Sequence, residues 1–216
     1  MNIIIGNQKG GVGKTTHAIL LANYLSLEKR KELLILDMDF QGSIKTKWDQ
    51  DLEIFENEPL YEVIQLDLES FSSIFDKLNS TSGYVIIDLP GKIDDNNLVL
   101  VFEQADVVIC PFSYDKLTFE STIVFAQVIR HINMEVPIIF LANRLKATVN
   151  YSIKKQVNQA LSEFGTIAPV IPDRISLQRL DCFTISENAL SAIKEAYEFI
   201  YNAYLSNHPS KTTTTD

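Results

Sequence analysis

The stretch Asn7-Gln8-Lys9-Gly10-Gly11-Val12-Gly13-Lys14-Thr15-Thr16 constrains this chain more than any other. The apolar run Ile3-Ile4-Ile5 leads into it, and a run with helical character, Thr16 to Leu27, leads out. Strand, glycine loop and helix in that order are the setting in which backbone amides close around an oxyanion. Gly10, Gly11 and Gly13 remove the side chains that would block that approach. The helix that follows aims the positive end of its dipole at the same place. Lys14 adds a full charge for outer phosphates, and Thr15 adds a hydroxyl of the kind that binds a magnesium ion. Val12 and Thr16 complete the nucleotide-binding stretch.

Two further runs end in acids. Leu33-Leu34-Ile35-Leu36 reads as a buried strand ending at Asp37, followed by Met38-Asp39-Phe40-Gln41-Gly42-Ser43. Tyr84-Val85-Ile86-Ile87 reads as another, ending in Asp88-Leu89-Pro90-Gly91. Acids at the ends of parallel strands point into the crevice where ligands bind. Asp88 reads as a magnesium holder, acting through water while Thr15 binds directly.

These three motifs, in this order, resemble the deviant Walker A ATPases of the ParA/MinD group. Gln8 stands where the common loop pattern has its first glycine, and Lys9 matches that group's signature lysine, which reaches into a partner's nucleotide. Asp37-Met38-Asp39-Phe40-Gln41-Gly42 is similar to its D-x-D-P-Q-G segment, with Phe40 in place of proline. The resemblance implies that Asp39 belongs to switch I, helps activate the attacking water and contributes to the metal site. Asp37 would support the metal shell or the loop, and Gly91 would permit a switch II loop. Asn143-Arg144 resembles the group's N-R, so Asn143 is a candidate base contact; a helix or loop cap is the other reading. Pro172-Asp173-Arg174 sits where the group has I-P-R against adenine, which makes Pro172 and Asp173 candidate nucleotide contacts. Trp48 resembles a tryptophan of some small ParA proteins, with simple packing the alternative.

Hydrophobic strands alternate with helices along the whole chain, without a repeat or a composition shift. The expected fold is α/β: a single-domain P-loop NTPase with a mostly parallel sheet and helices on both faces. Expected helices are Ser70–Leu78, Leu98–Gln104 capped from Asp94-Asp95-Asn96-Asn97, Phe119–Ile132 and Tyr151–Phe164. Strands are expected at Tyr61–Gln65, Asp106–Phe112, Val136–Ala142 and Ile167–Ile171. Residues 49–60, with five acids, read as a solvated connection without chemistry. Leu190, Ile193, Tyr197, Ile200, Tyr201 and Tyr204 form one helical stripe expected to cover the sheet. Residues 1–206 form the expected ATPase domain, and the polar, threonine-rich 207–216 an expected disordered tail.

Composition narrows the partners. At 216 residues with 46% hydrophobic content, one well-cored domain is expected. Cys110 and Cys182 lack metal-ligand spacing and read as buried thiols of a reducing cytoplasm. No signal peptide is visible, and no apolar run approaches the roughly 20 residues of a membrane span. The net charge of −9 weakens a simple case for strong DNA binding. The C-terminal region mixes Lys194 and Lys211 with Glu187, Glu195 and Glu198, which argues against a MinD-like membrane helix.

The resemblance implies a slow, Mg2+-dependent ATPase closest to the small ParF-like partition proteins. It further implies an ATP-bridged homodimer, non-specific DNA binding and a small ParB-like centromere-binding partner, in the cytoplasm and at the nucleoid. Lys154, Lys155, Arg179 and Lys194 are the candidate DNA contacts, with solvated helix faces the alternative. Positioning of a protein cargo is the second reading. An iron-protein-like enzyme would need cluster cysteines, and a dethiobiotin-synthetase-like one a substrate site; neither is visible.

Overall fold

The computed structural model describes residues 1–54, 58–74, 83–91, 96–146 and 151–207. Strands β1 (Asn2–Ile5), β2 (Leu33–Asp37), β3 (Glu62–Gln65), β4 (Tyr84–Asp88), β5 (Val107–Phe112), β6 (Ile138–Ala142) and β7 (Thr166–Ile167) form one sheet in the order β3-β2-β4-β1-β5-β6-β7. Every pairing in it is parallel. The strands read as unbroken apolar runs because both faces are covered. Ile3, Ile5, Ile86 and Ile109 face one core layer, whereas Ile4, Val85, Ile87 and Val108 face the other.

Helices α1 (Lys14–Leu27), α2 (Ser43–Ile54) and α6 (Glu187–Ile200) lie over the first layer. Helices α3 (Leu98–Glu103), α4 (Lys116–Ile132) and α5 (Lys154–Leu161) lie over the second. Ile193, Tyr197 and Ile200 of α6 are buried as the stripe requires. A π-helical turn, Tyr201–Leu205, ends this helix and buries Leu205.

Because the strands run parallel, their carboxyl ends share one edge: Ile5 and Asp37 are both in register with Asp88, and Phe112 with Ala142. The amino edge holds both ends of the described chain. The Met1 ammonium donates to the Gly83 carbonyl at 2.9 Å, and the Tyr84 hydroxyl, at the start of β4, donates to the Leu205 carbonyl at 2.9 Å.

Several boundaries differ from the expected ones. Residues 49–54 continue α2 and are not part of a solvated connection. Within it Asp51 is buried, and its carboxylate accepts the Cys182 N–H at 2.9 Å while pairing with Lys47 at 3.3 Å. Helix α4 starts a turn early because the Asp115 carboxylate caps it, accepting the Thr118 N–H at 2.9 Å. Strand β7 is shorter than expected. Ala168 and Ile171 still donate to Phe140 and Ala142, but Pro169 between them has no N–H to give. Helix α5 is shorter at both ends than the expected 151–164. Trp48 packs against the first layer, and its indole N–H donates to the Tyr61 carbonyl at 3.0 Å. The expected positions 75–78, 94–95 and 208–216 lie outside the described residues.

Candidate functional site

The glycine loop joins β1 to α1 at the carboxyl edge, beside the topological switch where β1 lies between β4 and β5. Gly11 and Gly13 have φ of 76° and 99°, left-handed conformations that a side chain would strain. A Cβ on Gly13 would lie 2.5 Å from the Asn143 amide nitrogen. No side chain caps the start of α1, so its first amides remain available to an anion.

Asn7 anchors the loop from below. Its buried amide donates to the Pro111 carbonyl and the Thr122 hydroxyl, both at 2.9 Å, while its oxygen accepts the Lys9 N–H at 2.9 Å. Asn143 and Arg144 brace it from the side. The Asn143 amide donates to the Val12 carbonyl at 3.1 Å, and the Arg144 guanidinium to the Gly11 carbonyl at 2.8 Å. The observed Asn143 therefore spends its amide on the loop backbone, and its oxygen accepts the Arg144 N–H at 2.8 Å.

Lys14 is buried and stands 3.5 Å from the Lys9 carbonyl. Burial lowers its pKa, while the Asp88 and Asp39 charges hold it up. A Cβ on Gly91 would lie 3.7 Å from the Lys14 ammonium, so the expected switch II glycine does adjoin the phosphate loop. Lys9 itself is half-buried and makes no ion pair among the described residues.

The Thr15 hydroxyl donates to Asp88 Oδ2 at 2.8 Å. The other carboxylate oxygen, Oδ1, is buried without a partner among the described residues. Burial pushes the Asp88 carboxyl up to about 7, and the neighbouring Asp37 and Asp39 charges add to this. A buried orphan carboxylate oxygen next to a hydroxyl is a hard-oxygen donor set, which fits a magnesium ion.

Asp37 is spent on structure. One of its oxygens accepts the N–H groups of Ile44 and Lys45 at 2.9 and 3.1 Å, and the other accepts that of Asp39 at 3.3 Å. It thus caps α2 and shapes the loop that presents Asp39. Asp39 is half-exposed, and Phe40 beside it is 97% exposed.

A cavity of about 400 Å³ opens beside the loop, lined by Thr16, Asn143, Arg144, Pro172, Asp173, Arg174, Leu177 and Gln178. The fold thus places Pro172, Asp173 and Asn143 around one cavity. A parallel bridge from Leu145 to Pro172 holds the two walls together. Behind the loop, His17 was not singled out from sequence. It is buried, with Nδ1 2.9 Å from the Tyr197 hydroxyl, and burial pushes its pKa down to about 4. Neither was legible locally: His17 meets Tyr197 180 residues away, and the Asn7 amide meets Pro111 and Thr122 more than 100 residues away.

Residues 3–186 match the CobQ/CobB/MinD/ParA nucleotide-binding domain. The chain belongs to this family. The ParA/MinD resemblance of its three motifs is therefore borne out. The family member Maintenance of carboxysome distribution protein A, from Gloeobacter kilaueensis, is 31% identical over 111 residues, 50% of this chain and 47% of that protein. The chromosome-partitioning ATPase Soj of Treponema pallidum is 52% identical over 44 residues, 20% of this chain and 17% of that protein. The matches thus span half or less of these relatives' own lengths. A plasmid partition protein from Borrelia burgdorferi, solved with AMPPNP, superposes with a TM-score of 0.74 at 24% identity, covering 93% of this chain and 98% of that one. At that identity the likeness bears on the fold, which it shares.

Proposed function

We infer that this ParA/MinD-type chain hydrolyses ATP and works as an ATP-dependent sandwich dimer in DNA partition, with residues 1–206 as the ATPase domain. The observation that carries the reading is the uncommitted Lys9. Its backbone is locked into the phosphate loop by Asn7, yet its ammonium makes no ion pair within 4 Å among the described residues and only acts at longer range on the Asp115 carboxylate. A cation held at the mouth of a phosphate loop and left unpaired suits the triphosphate of a second protomer.

In this reading, water attacks the γ-phosphorus and the bond to the β–γ bridging oxygen breaks, giving ADP and phosphate. Lys14 and the loop amides hold the β- and γ-phosphates. Asp39 positions the attacking water. Lys9 from the other protomer offsets charge on the transferred group, a role worth about 10³–10⁵ in rate where an arginine plays it. Thr15 and Asp88 would hold Mg2+, with Asp39 nearby; when bound, the ion neutralises charge on the outer phosphates. Thr16, Pro172 and Asp173 line the space for the nucleoside. Release of phosphate removes what ties the two protomers together.

A ParB-like centromere-binding partner and non-specific DNA complete the partition reading, with a cytoplasmic, nucleoid-associated location. No described helix is long and apolar enough to cross a membrane. Positioning of a protein cargo is the second reading, favoured by the similarity to the carboxysome distribution protein.

Lys14→Ala should abolish binding of a fluorescent ATP analogue. Lys9→Ala should keep binding but lose ATP-dependent dimerisation in light scattering. Dimerisation that survives in Lys9→Ala rejects the sandwich. ATPase assays with and without DNA then separate partition from cargo positioning.

A further inference from the structure

His17 lies among apolar side chains of α1, is buried, and takes no part in the phosphate chemistry. A buried neutral imidazole has to place two unlike nitrogens, one carrying a proton and one a lone pair. Nδ1 stands 2.9 Å from the Tyr197 hydroxyl of α6. Nε2 is buried and makes no hydrogen bond among the described residues.

Beside that orphan nitrogen lies the residue that braces the phosphate loop. A Cβ built on Gly13 would lie 2.5 Å from Asn143 Nδ2 and 3.6 Å from His17 Cδ2, the ring carbon bonded to Nε2. The orientation of the Asn143 amide is fixed twice. Only an N–H can donate to the Val12 carbonyl, and only the oxygen can accept the Arg144 N–H. One amide N–H is left over.

We propose that this second N–H of Asn143 donates to His17 Nε2, which makes His17 a positioning residue for the phosphate loop. The protons then close along one line. With the lone pair on Nε2, Nδ1 carries the proton and donates it to the Tyr197 oxygen. The Tyr197 hydroxyl in turn donates to the His17 carbonyl, 3.5 Å away. The opposite tautomer would set Nε2–H against an amide N–H, donor against donor. Turning the amide round would offer its oxygen to an Nε2–H instead. In that sense Asn143 raises the His17 pKa, against the larger lowering by burial. That turn would break both the Val12 and the Arg144 bonds.

The relay ties the loop to α6. Tyr197 is held by an edge-on contact with Tyr24, ring centres 5.4 Å apart, and the next residue, Glu198, pairs with Lys29 at 2.8 Å. The His17 main-chain N–H donates to the Gly13 carbonyl at 2.9 Å, so the residue grips the loop through backbone and ring alike. Leucine at position 17 would fill the space but leave the amide free to swing away from Val12, at a cost in nucleotide affinity. That last step rests on the ATPase reading; the order of the hydrogen bonds does not.

Two measurements test the proposal. Long-range proton–nitrogen correlation spectra of the imidazole rings, on the nucleotide-free full chain at about pH 8, read the tautomer directly. The chain has three histidines, and the signal lost in His17→Gln is that of His17. A protonated Nδ1 and a bare Nε2 are expected. A protonated Nε2, or the averaged pattern of a mobile ring, overturns the proposal. The second measurement titrates a fluorescent ATP analogue in the presence of Mg2+. His17→Leu should weaken binding about tenfold, the factor carried by one buried hydrogen bond of ordinary worth. His17→Gln, whose side-chain oxygen can stand in for Nε2, should stay within about threefold of the parent. A residue that merely packs would show the reverse order, because leucine suits an apolar site better than glutamine. Parental affinity in His17→Leu, or a loss in His17→Gln as large as in His17→Leu, overturns the proposal. Should His17→Leu not fold, the tautomer and the affinity of His17→Gln decide. Failure of the ATPase reading looks different: the unmodified chain would ignore the analogue while His17 kept its proton on Nδ1.

Discussion

Removing the Asp88 charge should change how stability depends on pH, by an amount the structure lets one work out. Burial raises the Asp88 carboxyl from its ordinary 3.8 to about 7. Between these values the folded chain keeps a proton that the unfolded chain has lost. Stability must therefore fall as pH rises through this window, by about 1.4 kcal/mol per pH unit and about 4 kcal/mol in all. His17 works the other way. Burial lowers it from 6.5 to about 4, so the unfolded chain holds the extra proton in that range. Its contribution rises with pH by about 3 kcal/mol and then levels off. In the nucleotide-free protein the two nearly cancel from about pH 4 to 6.5. Asp88→Asn keeps the size, the acceptor for Thr15 and one unpartnered buried atom, but removes the titration. Urea unfolding in EDTA, from about pH 4.5 to 8, should show the variant gaining on the parent as pH rises. Over this range the gain should reach about 3 kcal/mol and flatten above about pH 7. A difference that is flat with pH, or that shrinks, refutes the reasoning.

Gly13→Ala combines a φ of 99° with a Cβ 2.5 Å from an Asn143 amide that cannot retreat without losing Val12. It should cost about 1–3 kcal/mol in thermal unfolding and abolish binding of fluorescent ATP. Asp51→Ala leaves the buried Cys182 N–H without an acceptor and should cost about 1–3 kcal/mol in urea unfolding, whereas Asp51→Asn keeps an acceptor and should cost less.

What the sequence makes legible here is what is local. The glycine loop, the Asp37 and Asp88 strand ends and the alternation of strands with helices each lie within about ten residues, and each is found where it was read. Asp51 shows the opposite case. In sequence it is one of a row of acids and looks solvated, but its turn of α2 faces inward toward an amide 131 residues away. His17 is hidden in the same way, a polar residue in an apolar helix whose partner is 180 residues on. Asn143 was read as either a base contact or a loop cap, and sequence alone could not choose, because the Val12 carbonyl that takes its amide is met only once β1 and β6 share an edge. The prolines were visible, yet their effect on β7 depended on which neighbours Ala168 and Ile171 would meet.

The anchoring of Met1 to Gly83 and of Leu205 to Tyr84 has a practical consequence. Both extremities of the described chain sit on the side of the sheet remote from the nucleotide cleft. A fluorophore, an affinity handle or a tethering linker attached at Met1, or continuing the chain beyond Leu205, would thus start on the side opposite the face that the proposed sandwich dimer uses. Single-molecule or surface-immobilised experiments that test the proposed dimer can use either attachment.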